Sequence, residues 1–599
     1  MSLKGKEKMA ATGTDRIDGT LPTKDSALKP GQSMSRRMQP PNAVQRTASF
    51  AFLPKSPTTS PSISANRTNG NTAQPSMPNN SHISLARQSL SGTPSPRALH
   101  TPIMPILITP TQVTRSGELN GHTVTTPSTR SVASRDPAHE ELELLHDSIS
   151  DVRGRSKDHE LRTAPIITRD AYVAAGYREG ATQYGVLGSV LSIHHKNVPY
   201  KPVNPQIYVN TNAPFSAVVC GVQGSGKSHT VSLLLESMFI PNMRSTGTLQ
   251  KPLSGLVLHF GEGGPSSRPS EAAWISSSHI PGLQTPSVKV YVSRSSLNTM
   301  RAVYAPLGDG VTVEPLFFSQ DELDAQAFLS MMAVGSSDSA PLYIQGILSI
   351  LRDLGENFTY PEFLRQLDVK KESFNNAQLA GLEQRMALLT SFLNPNMKSQ
   401  TRFAESQLTI IDLSDPFIDP ASACGLFEII TRLFVRADVG TGKVLVVDEA
   451  HKYLAPTKGS SGLTKSLLTL TREQRHLAMR VIISTQEPTV VPPVLLDLCT
   501  VAILHRFSSP AWWDHLAKHV SADISAEDAF DRVVRLQTGE AIVLAPSGLG
   551  VFPDAPDTAR MGHVAPVPKL GLFGRRYVLM KTRRRVTRDG GASILVVDG

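Results

Sequence analysis

The chemistry in this sequence starts at Gly221-Val222-Gln223-Gly224-Ser225-Gly226-Lys227-Ser228: a glycine, four residues, then Gly-Lys-Ser. Glycines at this spacing let the backbone wrap a phosphate with its N–H groups, and a helix beginning here adds its dipole. Lys227 can then reach the β- and γ-phosphates of a nucleoside triphosphate, and the Ser228 hydroxyl can ligate Mg²⁺. Gly221, Gly224, Ser225, Gly226, Lys227, Ser228 and His229 are the candidate nucleotide contacts.

A second piece lies 220 residues further on. Val444-Leu445-Val446-Val447 is a buried strand by its apolar run, and it ends in Asp448-Glu449. An acid pair at a strand end after a P-loop reads as the Walker B position: Asp448 in the Mg²⁺ shell with Ser228, and Glu449 as general base for the attacking water. A third piece is Thr471-Arg472-Glu473-Gln474-Arg475, then a strand, then Ser484-Thr485-Gln486-Glu487-Pro488. Gln486 at the end of a strand beside the acidic one can sense the γ-phosphate and orient water. Arg472 and Arg475 could reach a neighbouring subunit's phosphates as arginine fingers, or form the charged end of a solvent-facing helix.

The elements that must position these groups follow from patterning. Phe215 to Cys220 reads as a strand before the glycine loop and Thr230 to Met238 as a helix after it. Leu256–Phe260, Val288–Val292, Leu408–Leu413 and Val481–Ser484 read as further strands. Ser319 with Glu322 forms a capping-box pattern before Ala325, Phe328, Leu329 and Met332. Strands alternating with helices mean a parallel sheet covered on both faces. The expected fold is α/β, a RecA-like P-loop NTPase with a central, mainly parallel sheet, the nucleotide at its carboxyl ends, and a helical insertion near Lys370 to Arg402.

Composition sets the rest of the frame. The chain has 599 residues, 6% of them aromatic, with 44 Pro and 42 Gly. Residues 1–135 carry 16 Lys or Arg against 5 Asp or Glu and are dominated by Ser, Thr, Pro and Asn. Such a segment buries too little apolar surface to offset its ordering entropy, so a long disordered N-terminal tail is expected. The remainder has 44 basic and 46 acidic residues. The chain's net charge of +9 therefore belongs to the tail and is no footprint of nucleic-acid binding in the folded part.

Residues 136–200 read as a linker and short N-terminal segment, with Leu142, Leu145 and Ile149 at helical spacing. Residues 201–560 form the P-loop ATPase domain, and 561–599 a basic C-terminal β segment. That segment holds Lys569, Arg575, Arg576, Lys581, Arg583, Arg584, Arg585 and Arg588, with Leu579, Val586 and Ile594 to Val597 suggesting strands. It could touch nucleic-acid phosphates, serve as a nuclear signal, line a subunit contact, or be the solvated face of a hairpin. Cys220, Cys424 and Cys499 stand apart in apolar surroundings, which argues against a disulfide framework or thiolate zinc site. No apolar run approaches the ~18 residues of a membrane span, and the N-terminus has no apolar leader. The expectation is an intracellular protein, cytoplasmic or nuclear, away from membranes.

Together, Asp448-Glu449-Ala450-His451, Arg472-Glu473-x-Arg475 and Ser484-Thr485-Gln486-x-Pro488 resemble the HerA/FtsK superfamily of motor ATPases, including the TraG-like conjugation ATPases. Ile410-Ile411-Asp412-Leu413-Ser414 and Gly539-Glu540-Ala541-Ile542-Val543-Leu544 also look like strands of that group. The resemblance covers about residues 201–550. With Asn212-Ala213-Pro214-Phe215 before the loop and Thr587 to Gly591 near the end, the chain looks closest to an uncharacterised group of fungal P-loop NTPase proteins. The resemblance implies ATP and Mg²⁺ as cofactors, ATP hydrolysis, a homo-oligomeric ring (a hexamer) and DNA as the substrate of a motor, with residues 569–588 as its contact. An ATP-gated switch or scaffold with slow or no turnover is the alternative.

Overall fold

The computed structural model describes residues 159–176, 183–196, 198–332, 342–398, 400–454, 462–519, 522, 525–553 and 568–591. The tail over 1–135, the helical spacing of Leu142 to Ile149 and the apolar run Ile594 to Val597 lie outside the described residues.

Among the described residues, five strands precede the glycine loop: β1 (Ile166–Thr168), β2 (Tyr184–His195), β3 (Val198–Tyr200), β4 (Gln206–Asn210) and β5 (Ser216–Cys220). Seven follow it through the parallel core: β6 (Ser254–His259), β7 (Ser287–Val292), β8 (Val311–Pro315), β9 (Gln407–Asp412), β10 (Lys443–Val447), β11 (Met479–Thr485) and β12 (Val501–Leu504). Four more close the chain: β13 (Glu540–Leu544), β14 (Leu549–Phe552), β15 (Lys569–Leu572) and β16 (Tyr577–Thr582).

The order β12-β5-β11-β10-β6-β9-β7-β8 is parallel throughout, and it is the RecA-like core. The same sheet runs on past β12 through β13, β16, β2 and β4 to β1, with antiparallel pairing at each step. This antiparallel wing is woven from both ends of the described chain. The basic C-terminal stretch therefore contributes β16, an interior strand between β2 and β13, where the sequence suggested a separate segment.

Side chains alternate across the sheet, so each parallel strand feeds two cores. Val218, Leu256, Leu258, Leu445, Val447, Val481 and Ile483 face one way, against the helices Pro420–Arg436 and Gly462–Glu473. Ala217, Val219, Val257, Val444, Val446 and Ile482 face the other, against the P-loop helix Lys227–Phe239 with Leu234, Leu235 and Met238. Burial on both faces is why these strands read as continuous apolar runs.

The helical insertion lies between β8 and β9 and starts earlier than Lys370. It holds Leu342–Leu354, Tyr360–Lys371 and Asn376–Ser391. Its return to the sheet is fixed by Arg402, 2% exposed, which pairs with Glu322 and donates to the Phe317 carbonyl. The Ser319–Glu322 box opens only a short 3₁₀ turn. The α-helix Ala325–Met331 begins one turn later, capped by Asp324, whose carboxylate accepts from the Ala327 N–H at 2.7 Å.

Candidate active site

The sheet register gathers the chemistry at one edge. Thr485 on β11 pairs with Cys220 on β5, and Ile483 pairs with Val447 on β10. Gly221, Gln486 and Asp448-Glu449 thus leave the sheet within about two rungs of one another. Because β11 stands between β5 and β10, Ser484 and Gln486 sit between the loop and the acid pair.

The loop has the conformation its glycines permit. Gly224 has φ +74° and Gly226 has φ +111°, values that residues with a Cβ rarely adopt. A Cβ on Gly226 would also come within 3.1 Å of the Gly539 backbone, and the Gly539 N–H donates to the Ser225 carbonyl at 3.1 Å. The turn before β13 therefore braces the loop from behind. His505, fully buried after β12, adds to the brace: Nε2 is 2.8 Å from the Thr230 hydroxyl and Nδ1 is 2.9 Å from the Glu540 carbonyl. Burial pushes this imidazole down to about 4, so it is neutral at pH 7, donating from Nδ1 and accepting at Nε2.

Lys227, 4% exposed, points its ammonium at Glu449 Oε1 (2.9 Å), with the Ser484 hydroxyl 3.4 Å away. Glu449 Oε2 accepts from Gln486 Nε2 at 2.9 Å and lies 3.4 Å from His451 Nε2. The Glu449 backbone is left-handed, φ +49°, a conformation that costs a non-glycine residue about 1–2 kcal/mol and that clusters at functional sites. This kink ends the strand at the acid pair. Asp448 is buried. Burial opposes its ionisation, but a hydrogen bond from His259 and the charge of Lys227 outweigh it and hold the carboxyl below the usual range. His259 Nδ1 is 3.3 Å from Asp448 Oδ2.

Lys227, His259, Asp448, Glu449 and Gln486 line an open cleft of about 860 Å³ that also takes in Gly224, Gly226, Ser228 and His229. Ser228 and Asp448 offer a hydroxyl and an ionised carboxylate. Such an oxygen pair suits Mg²⁺, which is usually completed by substrate phosphates and water. Gly221 is behind the loop, where an added Cβ would meet Ser225 and His505, and it shapes the turn instead of lining the cleft. Arg472 and Arg475 are exposed and are not among the residues lining this cleft.

Sequence reasoning missed His259, His505, Arg268 and the wall formed by Thr538, Gly539 and Lys581 to Arg584. His259 ends an apolar run beside the acid pair, a signal that was legible. His505 and Arg268 come from loops after the core strands β12 and β6, and the wall arrives from distant sequence through the wing. The basic stretch is also not one surface. Arg583 and Arg585 are tied to Glu236, which is buried in the P-loop helix. Arg576 lies over the Phe552 ring at 4.2 Å. Arg583 and Arg585 are thus paired within the fold, while Arg584 and Arg588 remain exposed.

No family model matches the chain, and no curated protein matches it. Among solved structures it is similar to VirB4 of Thermoanaerobacter pseudethanolicus, with 12% identity over 68% of this chain and 98% of that one and a TM-score of 0.37. It is also similar to the bacterial conjugative coupling protein TrwB (12% identity, 63% and 89% covered, TM-score 0.36). A third is the genome packaging NTPase B204 from Sulfolobus turreted icosahedral virus 2 in complex with ATP-γ-S (11% identity, 55% and 91% covered, TM-score 0.24). These structures are bacterial and viral and lend no support to the fungal likeness. The superpositions are loose, and the fold assignment stands on strand order and loop geometry. Among the described residues no helix is long and apolar enough to cross a membrane. In strand order and glycine-loop geometry the chain has a RecA-like P-loop fold, and its motifs resemble those of the HerA/FtsK superfamily of P-loop ATPases.

Proposed function

We propose that this chain binds and hydrolyses ATP with Mg²⁺, acting as a HerA/FtsK-like ATPase in a homo-oligomer. The observation that carries the reading is Glu449, held between the P-loop lysine and Gln486 at the mouth of the glycine loop. The loop N–H groups and Lys227 would take the β- and γ-phosphates, with His229 in the first helical turn beside them. Ser228 and Asp448 would hold Mg²⁺, which would supply positive charge to neutralise that developing on the phosphates. As Lys227 turns to the phosphates it releases Glu449 Oε1. Glu449 can then take a proton from a water that Gln486 orients. Arg472 and Arg475, exposed at the end of their helix, would complete the site across a subunit boundary.

A slower ATP-gated switch is the second reading, favoured by the same Lys227–Glu449 contact, which engages the base before nucleotide arrives. Work on DNA, as the resemblance implies, would draw on cations other than Arg583 and Arg585. Phosphate release by purified protein, with and without Mg²⁺ and with and without nucleic acid, tests these readings. Mg²⁺-dependent turnover is the expected result. None at saturating ATP leaves the switch, and no stimulation by DNA or RNA removes the nucleic-acid motor.

A further inference from the structure

After β16 the chain runs along the cleft as a strap, residues 583–591, tied to the P-loop helix chiefly at one buried carboxylate. Glu236 Oε1 accepts from the N–H groups of Val586 (3.0 Å) and Thr587 (2.9 Å) and from the Thr587 hydroxyl (2.6 Å). Its Oε2 pairs with Arg583 Nη1 at 2.6 Å. Arg583 Nε donates to the Val186 carbonyl at 2.6 Å, and the Arg583 carbonyl lies 2.8 Å from His229 Nε2. Arg585 is enclosed by Glu236, Glu271 and Asp589 at 3.5–4.0 Å. Upstream, Lys581 Nζ donates to the Thr538 carbonyl at 2.6 Å.

Arg584 departs from this pattern. Both its neighbours are fixed, yet its own side chain is exposed, lines the cleft and has no partner among the described residues. Its backbone is held beside His229, in the first turn of the P-loop helix, where the N-terminal dipole already favours anions. A backbone this well anchored keeps the guanidinium beside the cleft, and its fork fits phosphate oxygens bidentately.

We propose that Arg584 is a phosphate ligand supplied in cis by the C-terminal strap to the nucleoside triphosphate in the P-loop. The inference rests on the ATP-binding reading above. It also gives the Glu236 anchor a purpose: the anchor positions Arg584 over the loop.

The test is calorimetric titration of ATP-γ-S and of adenosine into the full chain and into three variants, Arg584→Ala, Arg584→Lys and Arg588→Ala. Arg588 is exposed on the same strap and does not line the cleft. Arg584→Ala should weaken ATP-γ-S about 10- to 100-fold, the worth of a hydrogen bond to a charged group. Adenosine affinity and melting temperature should be unchanged, Arg584→Lys should recover part of the loss, and Arg588→Ala should match the parent. If the parent binds ATP-γ-S and Arg584→Ala binds it within twofold, the proposal is overturned alone. A parent that binds no ATP-γ-S overturns the ATP reading and this proposal with it. Loss of DNA affinity at low salt with ATP-γ-S affinity retained would assign the guanidinium to nucleic acid and also overturn it.

Discussion

Lys227 and Glu449, 222 positions apart in sequence, are each other's partners: Nζ to Oε1 is 2.9 Å, in a pocket where Lys227 is 4% exposed. The cation that should grip phosphate and the carboxylate that should activate water begin in contact, so nucleotide binding and release of the base are one exchange. Removing either side should separate the two functions.

Lys227→Ala should abolish ATP binding, because a buried cation on the phosphates is not replaced by water. It also leaves Glu449 without its ammonium partner. Calorimetry with ATP-γ-S decides this, and affinity near that of the parent would remove Lys227 from the site.

Glu449→Gln should lower turnover by about 10²–10⁴. It should not weaken nucleotide. A neutral amide holds Lys227 less firmly than a carboxylate, by about 1 kcal/mol, so ATP-γ-S should bind roughly fivefold more tightly. Turnover at the parent rate would place the base elsewhere.

Arg472→Ala and Arg475→Ala should each leave ATP binding intact, and at least one should stop hydrolysis. Mixing that variant with Glu449→Gln should restore some activity, since a finger acting in trans meets the transition state only across a boundary. No rescue at any ratio, with a monomer in sedimentation, would rule out the shared site.

His505 makes stability depend on pH. Its folded pKa, about 4, is below the unfolded value near 6.5. The contribution is therefore complete above about pH 6.5 and is lost as pH falls toward 4, because the unfolded chain takes up the proton first. At about 1.4 kcal/mol per unit, the full loss is roughly 3–4 kcal/mol. Denaturant melts at pH 7.5 and 5 should show a smaller difference for His505→Asn than for the parent. Equal differences would mean that another group dominates this window.

Glu236→Ala should destabilise the fold by roughly 3–5 kcal/mol, the usual cost of breaking a buried ion pair. It strands Arg583 and the N–H groups of Val586 and Thr587. Limited proteolysis should then cut the strap before the core. An unchanged cleavage pattern would show that the strap is held by other contacts.

The parallel core was legible in the sequence because its strands are buried on both faces and read as uninterrupted apolar runs, Val444–Val447 and Val481–Ser484 among them. The glycine loop and acid pair were legible because their chemistry is local. The wing was not. Tyr184 to His195 alternates small, polar and apolar residues, and its meaning depends on pairing with Tyr577 to Thr582 far away. Arg583 and Arg585 read as surface charge because their neutralising partner, Glu236, looked like an ordinary residue of an apolar helix.

The placement of β16 between β2 and β13 has a consequence for biosynthesis. β2 is complete at residue 195, but the strand that covers its edge ends at residue 582. At about 5–20 residues per second, a ribosome needs roughly 20–80 s to make the intervening chain. Throughout that interval a twelve-residue strand presents an unpaired edge, the kind of surface that recruits other strands or a chaperone. The wall facing the glycine loop arrives last of all. A nascent chain, or one clipped before Tyr577, carries the whole glycine loop yet lacks one side of the cleft beside it.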